Sequence, residues 1–188
     1  MTKQICVPYQ GCKPSDVTQG FGVKQSFDGA PHQGVDFAFA HCKGKFLVAP
    51  EKCTVIQIIT DETLDNDYYP GLERGYGIVM RPYSDSTIEY LYWHCQQVFP
   101  VNIGQVVEQG EIVAQIGNSG MCMSAGVLVP LSDRNSEAGS HLHYEKRISG
   151  VLVNVLPYIS WELQPKLNVL QAISQILQKM TNMIMNRK

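Results

Sequence analysis

The 188-residue chain holds only five histidines, and two of their placements have metal-ligand character. His32 and Asp36, in "APHQGVDFAF", are four residues apart, a spacing that puts two side chains on the same side of a helix or of a strand. Pro31 and Gly34 argue against a helix, so both residues are expected on one face at the entry to a sheet. His141 and His143, in "SHLHYE", are two apart, which on a strand again means one face, with Cα atoms roughly 6.5–7 Å apart. Alone, an HxxxD reads as a hydrogen-bonded turn histidine, and an HxH often arises by chance. Together they offer two imidazoles and one carboxylate for zinc, the ligand count of a catalytic site that keeps a fourth position open for water. One histidine of the HxH pair can ligate while the other reaches that water. No HExxH is present, so two strands rather than one helix must build the site. His94, in the aromatic run "YLYWHC", is open to either a site role or that of a satisfied core histidine; His41, in a Lys/Gly turn, reads as solvated.

The elements that must position these groups are short strands. Runs over residues 34–39, 45–49, 53–60, 77–82, 87–95, 106–116 and 141–148 are bounded by turn residues, and Gly110 divides the sixth into two arms. That pattern predicts a mostly β fold, an antiparallel sheet or sandwich. Two long polar segments, 61–75 and 121–140, are expected to be surface loops that wall a groove. After Glu162 the character changes: Pro165 opens a segment in which Leu170, Ile173, Leu177, Met180 and Ile184 recur at three- and four-residue steps. This predicts a C-terminal amphipathic helix within 163–188, following a domain over 1–160. All seventeen acidic residues precede it, and it suits packing on its own domain, docking on a partner or oligomerisation.

Composition excludes other classes. A net charge of −2 with no dense Lys/Arg cluster argues against nucleic acid. No apolar run approaches the eighteen or so residues of a membrane span, and the N-terminus lacks the apolar core of a signal peptide. The six cysteines form no CxxC pair, which weakens a zinc-ribbon or thioredoxin-like reading; their even number permits disulfides, with Cys6 and Cys12 able to close a small loop.

In order along the chain, "VTQGFG", "HQGVDFA", "GKFLVAPEKCTVIQI", "GYGIVM", "YLYWHC", "VNIGQVVEQGEIVAQIGNSG" and "HLHYE" resemble the successive signatures of the lysostaphin-type (LytM-like) zinc endopeptidases that cut the peptide part of bacterial cell walls. The similarity runs from about Val17 to Ile148. It implies a lysostaphin-type domain binding one zinc ion per chain, with His32, Asp36 and His143 as ligands and His141 and His94 as the two non-ligand catalytic histidines. His141 is then the base that takes the water's proton, and His94 orients the water or donates to the oxyanion. The chain departs from that family between its GN(S/T)G turn and its HxH strand, where residues 121–140 intervene and can narrow, cover or respecify the groove.

The expected function is therefore zinc-dependent hydrolysis of peptidoglycan peptide cross-links. With no signal peptide read in the sequence, the expected delivery is by a phage, as an endolysin or a virion or tail component, with the terminal helix contacting a virion protein or a second copy. The alternative is a non-catalytic wall-binding, regulatory or structural tail protein that keeps the fold.

Overall fold

The computed structural model describes residues 4–60 and 75–185, so the predicted loop over 61–75 lies, except for Gly75, outside the described residues. Short β-branched and aromatic runs form strands β1 (Ile5–Cys6), β2 (Val17–Gln19), β3 (Val35–Phe37), β4 (Phe46–Val48), β5 (Cys53–Ile59), β6 (Gly77–Pro82) and β7 (Ile88–Trp93). They are followed by β8 (Val106–Val107), β9 (Ile112–Gln115), β10 (Met123–Ser124), β11 (Val127–Leu128), β12 (Leu142–Ile148), β13 (Val151–Val153) and β14 (Ile159–Ser160). The one α-helix among the described residues, α1 (Val169–Met185), comes last.

The main sheet is antiparallel, in the order β2-β3-β12-β7-β6-β5-β8, with β13 paired to β12. Alternation gives it two faces. Phe37, Val55, Met80, Tyr90, Tyr92, Leu142 and Tyr144 point into one core, shared with Leu47 of β4 and Val113 of β9. On the other face, Val79, Leu91 and Trp93 form a smaller apolar cluster, and His143 and Glu145 of β12 lie opposite Trp93 and Leu91. The site is built on that second face.

The arms around Gly110 do not pair with each other as a hairpin. β8 completes the main sheet against β5, whereas β9 pairs with β4 in a second layer. That layer is covered by α1: Val48 and Ile112 cluster with Ala172 and Cys6. The chain's first strand, β1, adds in parallel to β14, a pairing of distant segments that no local pattern announces. The insertion also contains a hairpin, β10–β11.

All six cysteines are buried and none is in a disulfide, so the Cys6–Cys12 bridge is not formed. Among the described residues no helix is long and apolar enough to cross a membrane.

Candidate metal centre

β12 lies between β3 and β7, and its register puts His143 directly across from Asp36. Residues paired in this way carry their side chains on one face within contact distance. His32, four residues before Asp36, is brought in by the glycine-containing turn of residues 20–23. Gly22 donates its N–H to His32 O (2.8 Å), His32 N–H donates to Val23 O (2.8 Å), and the ring Nδ1 lies 3.1 Å from Gly20 O. A carbonyl only accepts, so that contact places the proton on Nδ1 and leaves Nε2 for the site. His32 Nε2, His143 Nδ1 and Asp36 Oδ1 then form a triangle with sides of 3.0, 2.9 and 3.2 Å. Tetrahedral bonds of about 2.0–2.1 Å imply edges of about 3.3 Å, so the donor set fits zinc after tenths of an ångström of expansion. It is the one such His/Cys/Asp/Glu group found among the described residues.

His143 has a further partner. Its Nε2 lies 3.3 Å from Oε1 of Glu145, a wholly buried carboxylate whose other oxygen accepts from Arg147 Nη2 at 3.2 Å. Residues 143, 145 and 147 share one face of β12, so an imidazole of the triangle, its carboxylate partner and a neutralising guanidinium run in line along the strand.

Two of the three remaining histidines flank the triangle. His94 follows β7, with its ring 4.5 Å from that of His141 and 5.8 Å from that of His143, centroid to centroid. His94 Nδ1 donates to Ser119 O (2.7 Å) and His141 Nδ1 to Gly139 O (2.8 Å). Each thereby keeps Nε2 as an acceptor when neutral. His141 Nε2 stands 3.8 Å from Asp36 Oδ1.

The electrostatics follow from burial and crowding. Burial alone would raise the Asp36 carboxyl, but hydrogen bonds from His143 and His32 and the nearby charge of His141 hold it well below the usual carboxylate range. Burial works to lower His143, yet hydrogen bonds to Asp36 and Glu145 raise it above an ordinary histidine. His94 is held well below by burial, with the charges of His141 and His143 adding to the effect. A neutral His94 with its proton on Nδ1 accepts at Nε2 and does not donate there, which suits it to orienting a water rather than to binding an oxyanion.

These groups line a cleft of about 590 Å³, whose rim includes Phe27 and Pro31 from the segment before β3 and Met121, Met123 and Ala125 from the insertion. His32, Asp36, His143, His141 and His94 are thus brought together at one place, and His41 is exposed and apart from it. Cys95 is buried, its thiol pushed far up by desolvation, consistent with packing. The sequence reading gave no role to Glu145, although strand alternation from His143 signals its position, nor to the carbonyls of Gly20, Ser119 and Gly139, for which no residue type could.

A family model described as Peptidase family M23 matches residues 30–155. An uncharacterized metalloprotease of Haemophilus influenzae is 29% identical over 126 residues, covering 67% of this chain and 20% of that protein. The chain therefore spans about a fifth of the length of this curated relative. A zinc-containing peptidase from Vibrio cholerae superposes with a TM-score of 0.55 at 22% identity, covering 79% of this chain and 38% of the other. The catalytic domain of lysostaphin from Staphylococcus simulans superposes with a TM-score of 0.54 at 19% identity, covering 74% and 88%. At those identities the structural likeness shows the fold, which is the mostly β, lysostaphin-like one.

Proposed function

The chain belongs to peptidase family M23, and from that premise we infer that it is a zinc metalloendopeptidase that cuts the peptide cross-links of bacterial peptidoglycan. The observation that supports this most is the convergence of a His-Asp-His triangle with two imidazoles whose Nδ1 positions are already committed to carbonyls. In this reading His32, Asp36 and His143 hold the metal. Zinc there supplies Lewis acidity, acidifying water and polarising the scissile carbonyl.

The protein's own groups do the rest. His141 takes the attacking water's proton at Nε2 and hands it to the leaving amine nitrogen, while its Nδ1–H stays on Gly139 O. His94 accepts a hydrogen bond at Nε2 and fixes the water's approach. Phe27, Met121 and Met123 give the cleft an apolar wall beside the histidines.

The finer reading is delivery by a phage, as an endolysin or a virion or tail component, with α1 as the docking or self-association element. Leu170, Ile173 and Leu177 support the docking or self-association role of α1, since they are exposed while Ala172 packs inward.

The experiment is release of new amino groups from purified peptidoglycan, with zinc content counted before and after chelation. Cleavage lost with the metal and restored with it is the expected result, and the freed termini identify the bond. One zinc per chain with no cleavage of any wall type would return the chain to the non-catalytic alternative.

A further inference from the structure

Residues 116–119 lie between the two histidines to which the proposed function gives the water and the proton. Cys95, next to His94, bridges Ile116, and His141 bridges Gly117. Gly117 permits this closeness: a Cβ there would stand 2.6 Å from the backbone carbon of Cys95. The two residues that follow it each serve one histidine.

Ser119 serves His94. Its carbonyl accepts from His94 Nδ1 at 2.7 Å, while its hydroxyl donates to Cys95 O at 2.8 Å and accepts from Tyr76 N–H at 2.9 Å. The hydroxyl therefore pins the residue whose carbonyl orients the ring. It does so where His94 itself has a φ of 58°, a left-handed conformation that a histidine holds only when its surroundings impose it.

Asn118 serves His141, indirectly. Asn118 is buried, and its Nδ2 donates to Ala138 O at 2.9 Å and Ser136 O at 3.3 Å. These carbonyls belong to the limb by which the insertion returns to β12, and the next carbonyl along it, that of Gly139, accepts from His141 Nδ1. Lys43 reinforces the grip, its Nζ donating to Ser136 O at 2.8 Å and also to Arg134 O. Without such anchors a segment of some twenty residues leading into His141 would leave that carbonyl unplaced.

We propose that Asn118 and Ser119 are positioning residues, each dedicated to one non-ligand histidine. Ser119 holds His94 directly, and Asn118 holds His141 through the insertion's return limb, each ring being kept in the Nδ1–H form with Nε2 free. This rests on the reading of His94 and His141 as the groups that handle water and proton. The insertion then supplies the alignment of the site as well as a wall of its cleft.

The test uses the zinc-loaded full chain with ¹⁵N-labelled histidine, reading each ring's tautomer by long-range ¹H–¹⁵N spectra beside zinc content and steady-state hydrolysis. Ser119→Ala is expected to mix the tautomers of His94 and leave His141 unchanged; Asn118→Ala is expected to do the reverse. Zinc stays at one per chain in both, and kcat falls by roughly 10–100-fold with KM unchanged, the usual scale for a lost outer hydrogen-bond partner. Rings unmoved in either variant, both rings moved alike in each, or loss of zinc would overturn the proposal. If Asn118→Ala fails to fold, Asn118→Asp keeps the size but replaces both donated hydrogens by an acceptor, and an unmoved His141 there would overturn it equally. The tautomer pattern needs no turnover, so a wild-type protein that binds zinc and cleaves nothing would sink the proposed function and leave this test intact.

Discussion

Gly34 lies directly against the ring of His143: a Cβ at residue 34 would stand 2.7 Å from His143 Nε2 and 2.7 Å from the carbonyl oxygen of Tyr144. The glycine of the HxGxD motif is thus a clearance for the imidazole of His143 on the neighbouring strand. The Tyr144 carbonyl is backbone and cannot yield, so an added methyl must push the strands or the ring. Gly34→Ala is expected to weaken zinc binding by roughly 10–100-fold with the β-sheet spectrum retained. Competition against a calibrated chelator measures it, and unchanged affinity would show that the ring has room to move.

The two histidines of the HxH pair should separate cleanly. His143→Ala removes a corner of the triangle and should empty the site, whereas His141→Ala should keep one zinc per chain and lose turnover by about 10²–10⁴-fold. Metal analysis of both variants decides between these roles; equal loss of zinc would make the division wrong.

Glu145→Gln tests the buried carboxylate behind His143. The amide keeps the shape but removes the charge that favours Nε2–H and leaves Arg147 opposite a neutral group. A loss of roughly 10–100-fold in zinc affinity is expected. Affinity equal to wild type would reduce Glu145 to a packing residue.

The cysteines carry a pH prediction. Burial pushes the Cys6 and Cys12 thiols up to about 12 from an ordinary 9.0. Between those values the unfolded chain releases protons that the folded chain retains, so these thiols contribute stability that is complete below about pH 9 and is lost as pH rises toward 12. Melting temperature should fall steadily above about pH 9, and Cys6→Ala should flatten that fall. The same burial predicts that an aromatic disulfide reagent modifies the six thiols only after unfolding; rapid modification of the native protein would contradict it.

Leu170, Ile173 and Leu177 stand 82%, 44% and 57% exposed along one stripe of α1. If this stripe mates two copies, the triple replacement by serine should convert a dimer to a monomer in sedimentation without changing zinc content. A wild-type monomer over the accessible concentration range would instead leave the stripe to a different protein.

The convergence of His32, Asp36 and His143 was legible because it rests on residue types: His, Asp and His carry their chemistry in their names, and spacings of four and two fix which face they share. The long strands β5 and β7 were legible for a similar reason, being runs rich in β-branched and aromatic residues, whereas β6 and β12 were read from shorter apolar runs bounded by glycines and turns. What holds the rings was not, since Gly20, Ser119 and Gly139 act through carbonyls that every residue owns. The separation of β8 from β9 was hidden because their partners, β5 and β4, lie more than fifty and more than sixty residues upstream, respectively. The β10–β11 hairpin did leave a trace, since Ala125 and Gly126 both sit at positive φ as a two-residue turn requires. An alanine at its first position is a weaker signal than asparagine, and the turn passed for loop.

Asp36 and His143 are 107 residues apart in sequence and face each other only in one alignment of β3 with β12. A slip of a single residue would turn His143 inward and Tyr144 outward along the whole strand. In the proposed reading, a metal held by His32, Asp36 and His143 is therefore a latch that closes on one register alone. An ion taken up only by correctly aligned chains draws the folding equilibrium toward them by mass action. Zinc present during refolding should raise the yield of aligned protein, and its removal afterwards should lower the melting temperature while leaving the strands where they are.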